Sequence, residues 1–239
     1  MFDGKFKAIT FSYDDAVTQD VRFIELLDRY GLKATFNINS ELLGLTGSLI
    51  RGGVEVDHTK VPAEQVASIY QNHEVAVHTL THPNLKNIAE DAEVIRQVEQ
   101  DRLNLEALVC YPVRGMAYPC GGDCYDARTI RLLKRHTGVA YARTTSSNAS
   151  FDRQAELLDF SPTVHHTEFS RMFELGEAFV NAKPDRPQIF YIWGHTYEFD
   201  IADTWDQMEE FVKLISHRED IFYGTNQEVL LGLPAHFRK

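Results

Sequence analysis

The chain has 239 residues, of which 44% are hydrophobic and 25% charged; both shares lie near globular averages and exclude a disordered or low-complexity chain. Lys plus Arg number 24 against 35 Asp plus Glu, a formal charge of -11, which disfavours nucleic acid and anionic membrane surfaces as partners. No stretch approaches the ~18 consecutive apolar residues of a membrane span, and residues 1–15 lack a basic flank followed by an apolar export segment, so the expected location is cytoplasmic. Without an export signal, Cys110, Cys120 and Cys124 read as reduced thiols. Cys120 and Cys124 have no second pair to complete a structural zinc site, and are read as small packing residues beside a turn.

Short β-branched and aromatic runs alternate with longer segments of helical period, the pattern of parallel strands joined by crossover helices. The first strand is predicted at Lys7 to Phe11. Val21, Ile24, Leu27 and Tyr30 then recur at helical spacing, with Gly31 placed as a C-terminal cap. Strands follow at Ala34 to Asn39, Glu74 to His78, Val113 to Tyr118, Val139 to Arg143, Gln188 to Trp193 and Asp220 to Tyr223, with a possible eighth at Leu157 to Phe160. Helices are predicted at Ala63 to Gln71, Ala89 to Leu108, Ala127 to Arg135, Phe169 to Asn181 and Thr204 to Ser216. No linker or internal repeat divides them, so residues 1–239 are expected to form a single α/β domain, a distorted (β/α) barrel of seven or eight strands. Two long loops, Leu42 to Pro62 and Thr144 to Thr167, are expected to wall a binding site.

Polar groups collect where four strands end: Ser12-Tyr13-Asp14-Asp15, His78-Thr79-Leu80-Thr81-His82, Tyr118-Pro119-Cys120-Gly121-Gly122 and Gly194-His195-Thr196-Tyr197-Glu198. A barrel sets such ends around one mouth. His78 and His82, four apart, share one side of a helical turn and can grip a divalent ion, with Asp14 or Asp15 as the carboxylate that completes a hydrolytic zinc set. No Glu follows His78, which excludes the metalloprotease arrangement; the unused aspartate is then the nearest general base. Each feature also has a plain structural reading, as chance spacing, a helix cap or a buried histidine, and their coincidence at four strand ends is what favours a metal-assisted hydrolase. Trp193, Trp205, Tyr197, Tyr125 and Phe199 offer faces for sugar rings, although Trp205 reads first as a helix core residue. His165 and His166 read as surface histidines.

These segments resemble the motifs of the polysaccharide deacetylase family, carbohydrate esterase family four, in order from Thr10 to His195. Thr10 to Ala16 is similar to Thr-Phe-Asp-Asp-Gly with two residues inserted and Ala in place of Gly; His78 to His82 is similar to the family's His-Ser/Thr-x-x-His. Tyr118 to Gly121 resembles a variant third motif, Tyr-Pro-x-Gly, and Trp193-Gly194-His195 the last. The resemblance implies Asp14 as catalytic base, Asp15, His78 and His82 as ligands of a divalent metal (Zn2+ foremost), the Tyr118 backbone N–H in an oxyanion hole, Arg114 orienting Asp14, and His195 as general acid. A motif carrying the carboxylate that supports His195 is not recognisable, since the corresponding stretch offers only Asp159 and Pro162. The implied activity is removal of an acyl group, N-acetyl first, from a carbohydrate or amino sugar. The alternatives are an amidohydrolase of the same fold acting on a small cyclic imide or ureide, and an inert sugar- or metal-binding relative.

Overall fold

A computed structural model describes residues 2–233. In chain order the elements are β1 (Lys7–Asp14), α1 (Asp20–Arg29), β2 (Ala34–Ile38), β3 (Ser48–Arg51), β4 (Val54–Asp57), α2 (Val66–Ile69), β5 (Glu74–Val77), α3 (Asp91–Val109), β6 (Gly115–Ala117), α4 (Ala127–His136), β7 (Tyr141–Arg143), β8 (Val164–His165), α5 (Phe169–Asn181), β9 (Gln188–Gly194), α6 (Tyr197–Ala202), α7 (Trp205–Ile215), β10 (Ile221–Tyr223) and α8 (Asn226–Leu231).

Eight strands form one parallel sheet in the order β7-β6-β5-β2-β1-β9-β8, with β10 also paired to β1. Every residue of β1 is buried, as expected of a central parallel strand covered on both faces. β1 pairs with β9 along Lys7 to Tyr13, with β10 over Lys7 to Ile9, and with β2 over Phe11 to Asp14. The sheet curls until its two edges meet one extended segment: Phe160 exchanges backbone hydrogen bonds with Ala142 and Thr144 beside β7, and Val164 and His165 pair with β9. The α/β barrel expected from the sequence is therefore the observed architecture, distorted where this segment bridges the edges. Phe23, Ile24, Leu26 and Leu27 bury one face of α1 against the sheet, and Met208, Phe211, Val212 and Ile215 do the same for α7.

Leu157 to Phe160 is not a strand. Leu157–Asp159 is a 3-10 turn, and Phe160 alone bridges to Arg143; the strand on this side is β8, whose two residues carry no readable period. The long loop from Leu42 to Pro62 holds the antiparallel β3–β4 hairpin. Its residues other than Leu49 and Val56 are exposed, so they lack the alternation that marks a half-buried strand. Among the described residues no helix is long and apolar enough to cross a membrane.

Candidate active site

The carboxyl ends of β1, β5, β6 and β9 converge on a cavity of about 180 Å3 lined by Asp14, Asp15, His78, His82, Cys120 and His195, among others. The backbone bends sharply to aim these groups. Asp15, Ala16, Thr79, His82 and Cys120 all have positive φ, a conformation that costs a non-glycine residue about 1–3 kcal/mol and persists where the surroundings enforce it. For His78 to His82 the enforcement is visible. Asn39 Nδ2 donates to the carbonyls of His78 and Thr79, Asp101 accepts from the His78 N–H, and Gln97 accepts from the Thr81 N–H. The two imidazoles meet at 4.9 Å between ring centres through this pinned turn, and not on a helical turn as their spacing predicts.

Ligand atoms of Asp15, His78 and His82 lie within 4.8 Å of one another. His78 Nδ1 is 2.9 Å from the Ala117 carbonyl, which only accepts, so Nδ1 carries the proton and Nε2 presents a lone pair. That Nε2 is buried without a hydrogen-bond partner. Burial pushes the His78 pKa down to about 4 and lowers that of His82, keeping both rings neutral. Two neutral imidazoles, one of them orphaned, and one carboxylate fit a divalent ion of the zinc type. Asp15 is held from outside by His58 Nε2 at 3.3 Å and Lys60 Nζ at 3.5 Å. Burial raises its pKa, but the His58 hydrogen bond and Lys60 outweigh this and hold the carboxyl well below the ordinary range. Neither residue was singled out from the sequence, although both lie in the loop expected to wall the site.

Asp14 is 2% exposed and its Oδ2 lies 4.0 Å from His78 Nε2 and 3.9 Å from His195 Nε2. Burial pushes its pKa up, but Arg143, His78 and His195 together bring it below the usual carboxylate value. The arginine that orients it is Arg143, at the end of β7: fully buried, with Nη2 2.5 Å from Asp14 Oδ2, Nε on Ser12 Oγ and Nη1 on the Thr144 carbonyl. This corrects the expectation for Arg114. That residue precedes β6, at the opposite end of the barrel, and is exposed. The Tyr118 N–H is also misassigned, because it donates to the Arg143 carbonyl at 3.0 Å in the sheet ladder and is unavailable to a substrate. The Cys120 N–H, two residues on, donates to His82 Nε2 at 3.5 Å, a long contact to a side chain of the candidate ligand set, and Cys120 lines the cavity.

His195 is supported by Glu198, three residues later, whose Oε2 accepts from the His195 N–H at 2.9 Å and lies 3.1 Å from its Nδ1. Burial lowers the His195 pKa, yet Glu198, Asp14 and Asp15 outweigh it and the net shift is upward. Asp159 bonds the Tyr125 hydroxyl instead. His166 is not a surface residue: it is buried, with Nδ1 2.9 Å from the Tyr13 hydroxyl and Nε2 3.3 Å from Glu198 Oε2. It also explains the glycine before His195, since a Cβ at Gly194 would meet His166 Nδ1 at 2.4 Å. His165 lines the cavity with Trp193. Of the other aromatic residues, Phe199 and Trp205 are packed in the core, Tyr197 is 1% exposed, and Tyr125 stacks on Tyr118.

A family model described as polysaccharide deacetylase matches residues 3–141. Among solved structures, the Xyl-CE4 domain of a multidomain xylanase from the hindgut metagenome of Trinervitermes trinervoides superposes with a TM-score of 0.56 at 16% identity, covering 95% of this chain and 90% of that one. The family 4 carbohydrate esterase from Streptomyces lividans in complex with acetate gives 0.53 at 13% identity, covering 89% and 88%. A CE4 family pseudoenzyme from Bacillus anthracis gives 0.53 at 16% identity, covering 95% of this chain and 66% of that one. At these identities the superpositions show the fold alone. No curated protein matches the chain.

Proposed function

Because the chain belongs to the polysaccharide deacetylase family, we propose that it is a metal-dependent hydrolase that removes an acyl group, N-acetyl foremost, from an amino-sugar substrate. Asp15, His78 and His82 would hold the ion. When bound, a zinc-type ion supplies Lewis-acid polarisation of the acyl oxygen and acidifies the attacking water. Asp14, kept ionised by Arg143, takes the water's proton as the acyl carbon is attacked. With the His82 Nε2 lone pair given to the ion, the Cys120 N–H that it accepts from at 3.5 Å would be released to donate to the oxygen on which negative charge develops. His195, protonated through Glu198, gives its Nε2 proton to the departing amine, which otherwise would leave as an anion.

The observation that carries this reading is the convergence on Asp14 Oδ2 of Arg143, of a ligand imidazole and of the acid imidazole, at 2.5, 4.0 and 3.9 Å. An extended substrate is supported over a small cyclic imide by the cavity's shape. It shares Asp15, Arg51 and His82 with a second cavity of about 430 Å3, and Thr145, His165 and Trp193 with a third of about 460 Å3. The test is acetate release from N-acetylated amino-sugar oligomers by zinc-loaded protein. Asp14→Asn should keep one equivalent of metal by elemental analysis and lose ~100- to 10,000-fold in turnover, while His78→Ala should lose both. Wild-type turnover in Asp14→Asn would remove the base assignment, and an unchanged metal content in His78→Ala would remove the ligand assignment.

A further inference from the structure

The β3–β4 hairpin carries a cation that the proposed reaction does not use. Arg51 ends β3 opposite Val54, and the turn between them is made by Gly52 and Gly53 at φ +57° and +82°, values that a side chain would strain. The guanidinium reaches back over the active site, where it lines both the metal-side cavity and the neighbouring one walled by Leu42, Leu45, Leu49 and Tyr197. Its Nη1 is 3.4 Å from Glu198 Oε1, and the cation stands 5.7 Å from the Tyr197 ring. The first contact is long and engages one of the guanidinium's five N–H donors, and the side chain is 54% exposed. Of the three other cationic or imidazole groups lining the neighbouring cavity, Lys60 and His58 are already committed to Asp15 and His82 belongs to the candidate ligand set. On a chain of net charge -11, an open guanidinium fork at the mouth of the cavity is not part of a generally basic surface.

We propose that Arg51 is a specificity-determining residue that binds a carboxylate carried by the amine half of the substrate, so that the preferred substrate class is an N-acylated amino sugar bearing an acidic substituent. This deepens the deacylase reading and rests on it. A carboxylate is the planar partner that a guanidinium grips through two parallel hydrogen bonds. The amine half is indicated because Arg51 sits on the carboxylate that supports His195, the group serving the leaving amine. Leu42, Leu45 and Leu49 then offer apolar area to the carbon frame of the substituent.

The matched probes are N-acetylmuramic acid, its methyl ester and N-acetylglucosamine, assayed for acetate release with zinc-loaded wild type, Arg51→Lys and Arg51→Gln. The wild type should prefer the acid over the ester by about 10- to 100-fold in kcat/KM, the worth of a charge-assisted contact, and the difference should lie in KM. Arg51→Gln should bring that ratio close to one, with Arg51→Lys between. Calorimetric titration of the same proteins with muramic acid and with glucosamine reads the preference without turnover. Equal binding of the two by the wild type would overturn the proposal. So would an Arg51→Gln variant that loses kcat for acid and ester alike with a displaced pH profile, since Arg51 would then merely brace Glu198. Binding of muramic acid that depends on Arg51, with no acetate released from any probe, would instead leave the carboxylate site standing and remove the deacylase reading.

Discussion

Replacing Arg143 by Met tests the electrostatic core of the site. The native guanidinium is fully buried, 2.5 Å from Asp14 Oδ2, and 4.3 Å from the Trp193 ring. Methionine approximates its aliphatic length but leaves a carboxylate, 2% exposed, with Asn37 Nδ2 at 2.8 Å as its remaining close donor. Removing one partner of a buried pair in this way costs roughly 3–5 kcal/mol, against at most about 0.5 kcal/mol for an exposed, unpartnered position such as Arg114. The pH dependence has a definite sign. Burial raises the Asp14 pKa and Arg143 leads the groups that bring it below normal, so its contribution to stability is full above the ordinary carboxylate pKa and is lost as the pH falls through the folded value. The deficit of Arg143→Met, measured by urea unfolding against wild type, should therefore be largest near pH 7 and shrink on acidification, when Asp14 is neutral in both proteins. The acid limb of kcat/KM should move to higher pH. An Arg143→Met protein as stable as wild type at pH 7, or Arg114→Met carrying the deficit instead, would refute the assignment.

Glu198→Gln removes the leading group that opposes burial at His195. The imidazole pKa should fall, so that the acid form is lost earlier on the alkaline side and the upper limb of kcat moves to lower pH; an unmoved limb would exclude His195–Glu198 as the acid unit. At Cys120 the proposed chemistry uses the backbone N–H, and burial pushes the thiol pKa up, away from a nucleophilic thiolate. Cys120→Gly keeps the N–H and suits φ +63°, and should retain turnover; a loss of about 100-fold, the size expected for a missing oxyanion donor, would mean that the sulfur itself takes part.

The barrel was legible because its strands are short apolar runs punctuated by helices whose buried faces recur at the proper period, as in α1 and α7. The β3–β4 hairpin was not, because it is exposed and carries no buried alternation, and two-residue β8 and six-residue α6, although partly buried, are too short for a period to be read. At the site, the residues that face the cavity directly are adjacent in sequence to strand ends, which is why Asp14, Asp15, His78, His82 and His195 could be named together. The groups that hold them arrive from elsewhere in the fold. Arg143 lies 129 positions from Asp14, and its choice over Arg114 depends on which end of a strand faces the mouth. One signal was available for Glu198: it stands three residues after His195, a spacing that returns a side chain to the N-terminus of a helix, but only once α6 is known.

The supporting shell also bears on whether the chain is a working enzyme or, like the Bacillus anthracis protein it resembles, a pseudoenzyme. Burying an ion pair such as Asp14–Arg143 is a poor route to stability, because desolvating both charges costs several kcal/mol and an apolar pair of similar volume often does as well or better. Glu198 presents the same problem, set 9% exposed among His166, His195 and Arg51. A fold relieved of catalysis could replace either arrangement with hydrocarbon at little loss. What hydrocarbon cannot do is lower the proton affinity of one carboxylate beside Asp15, His78 and His82 while raising that of an imidazole 3.9 Å away, and such a separation is what the proposed water activation and amine departure would require of a single site.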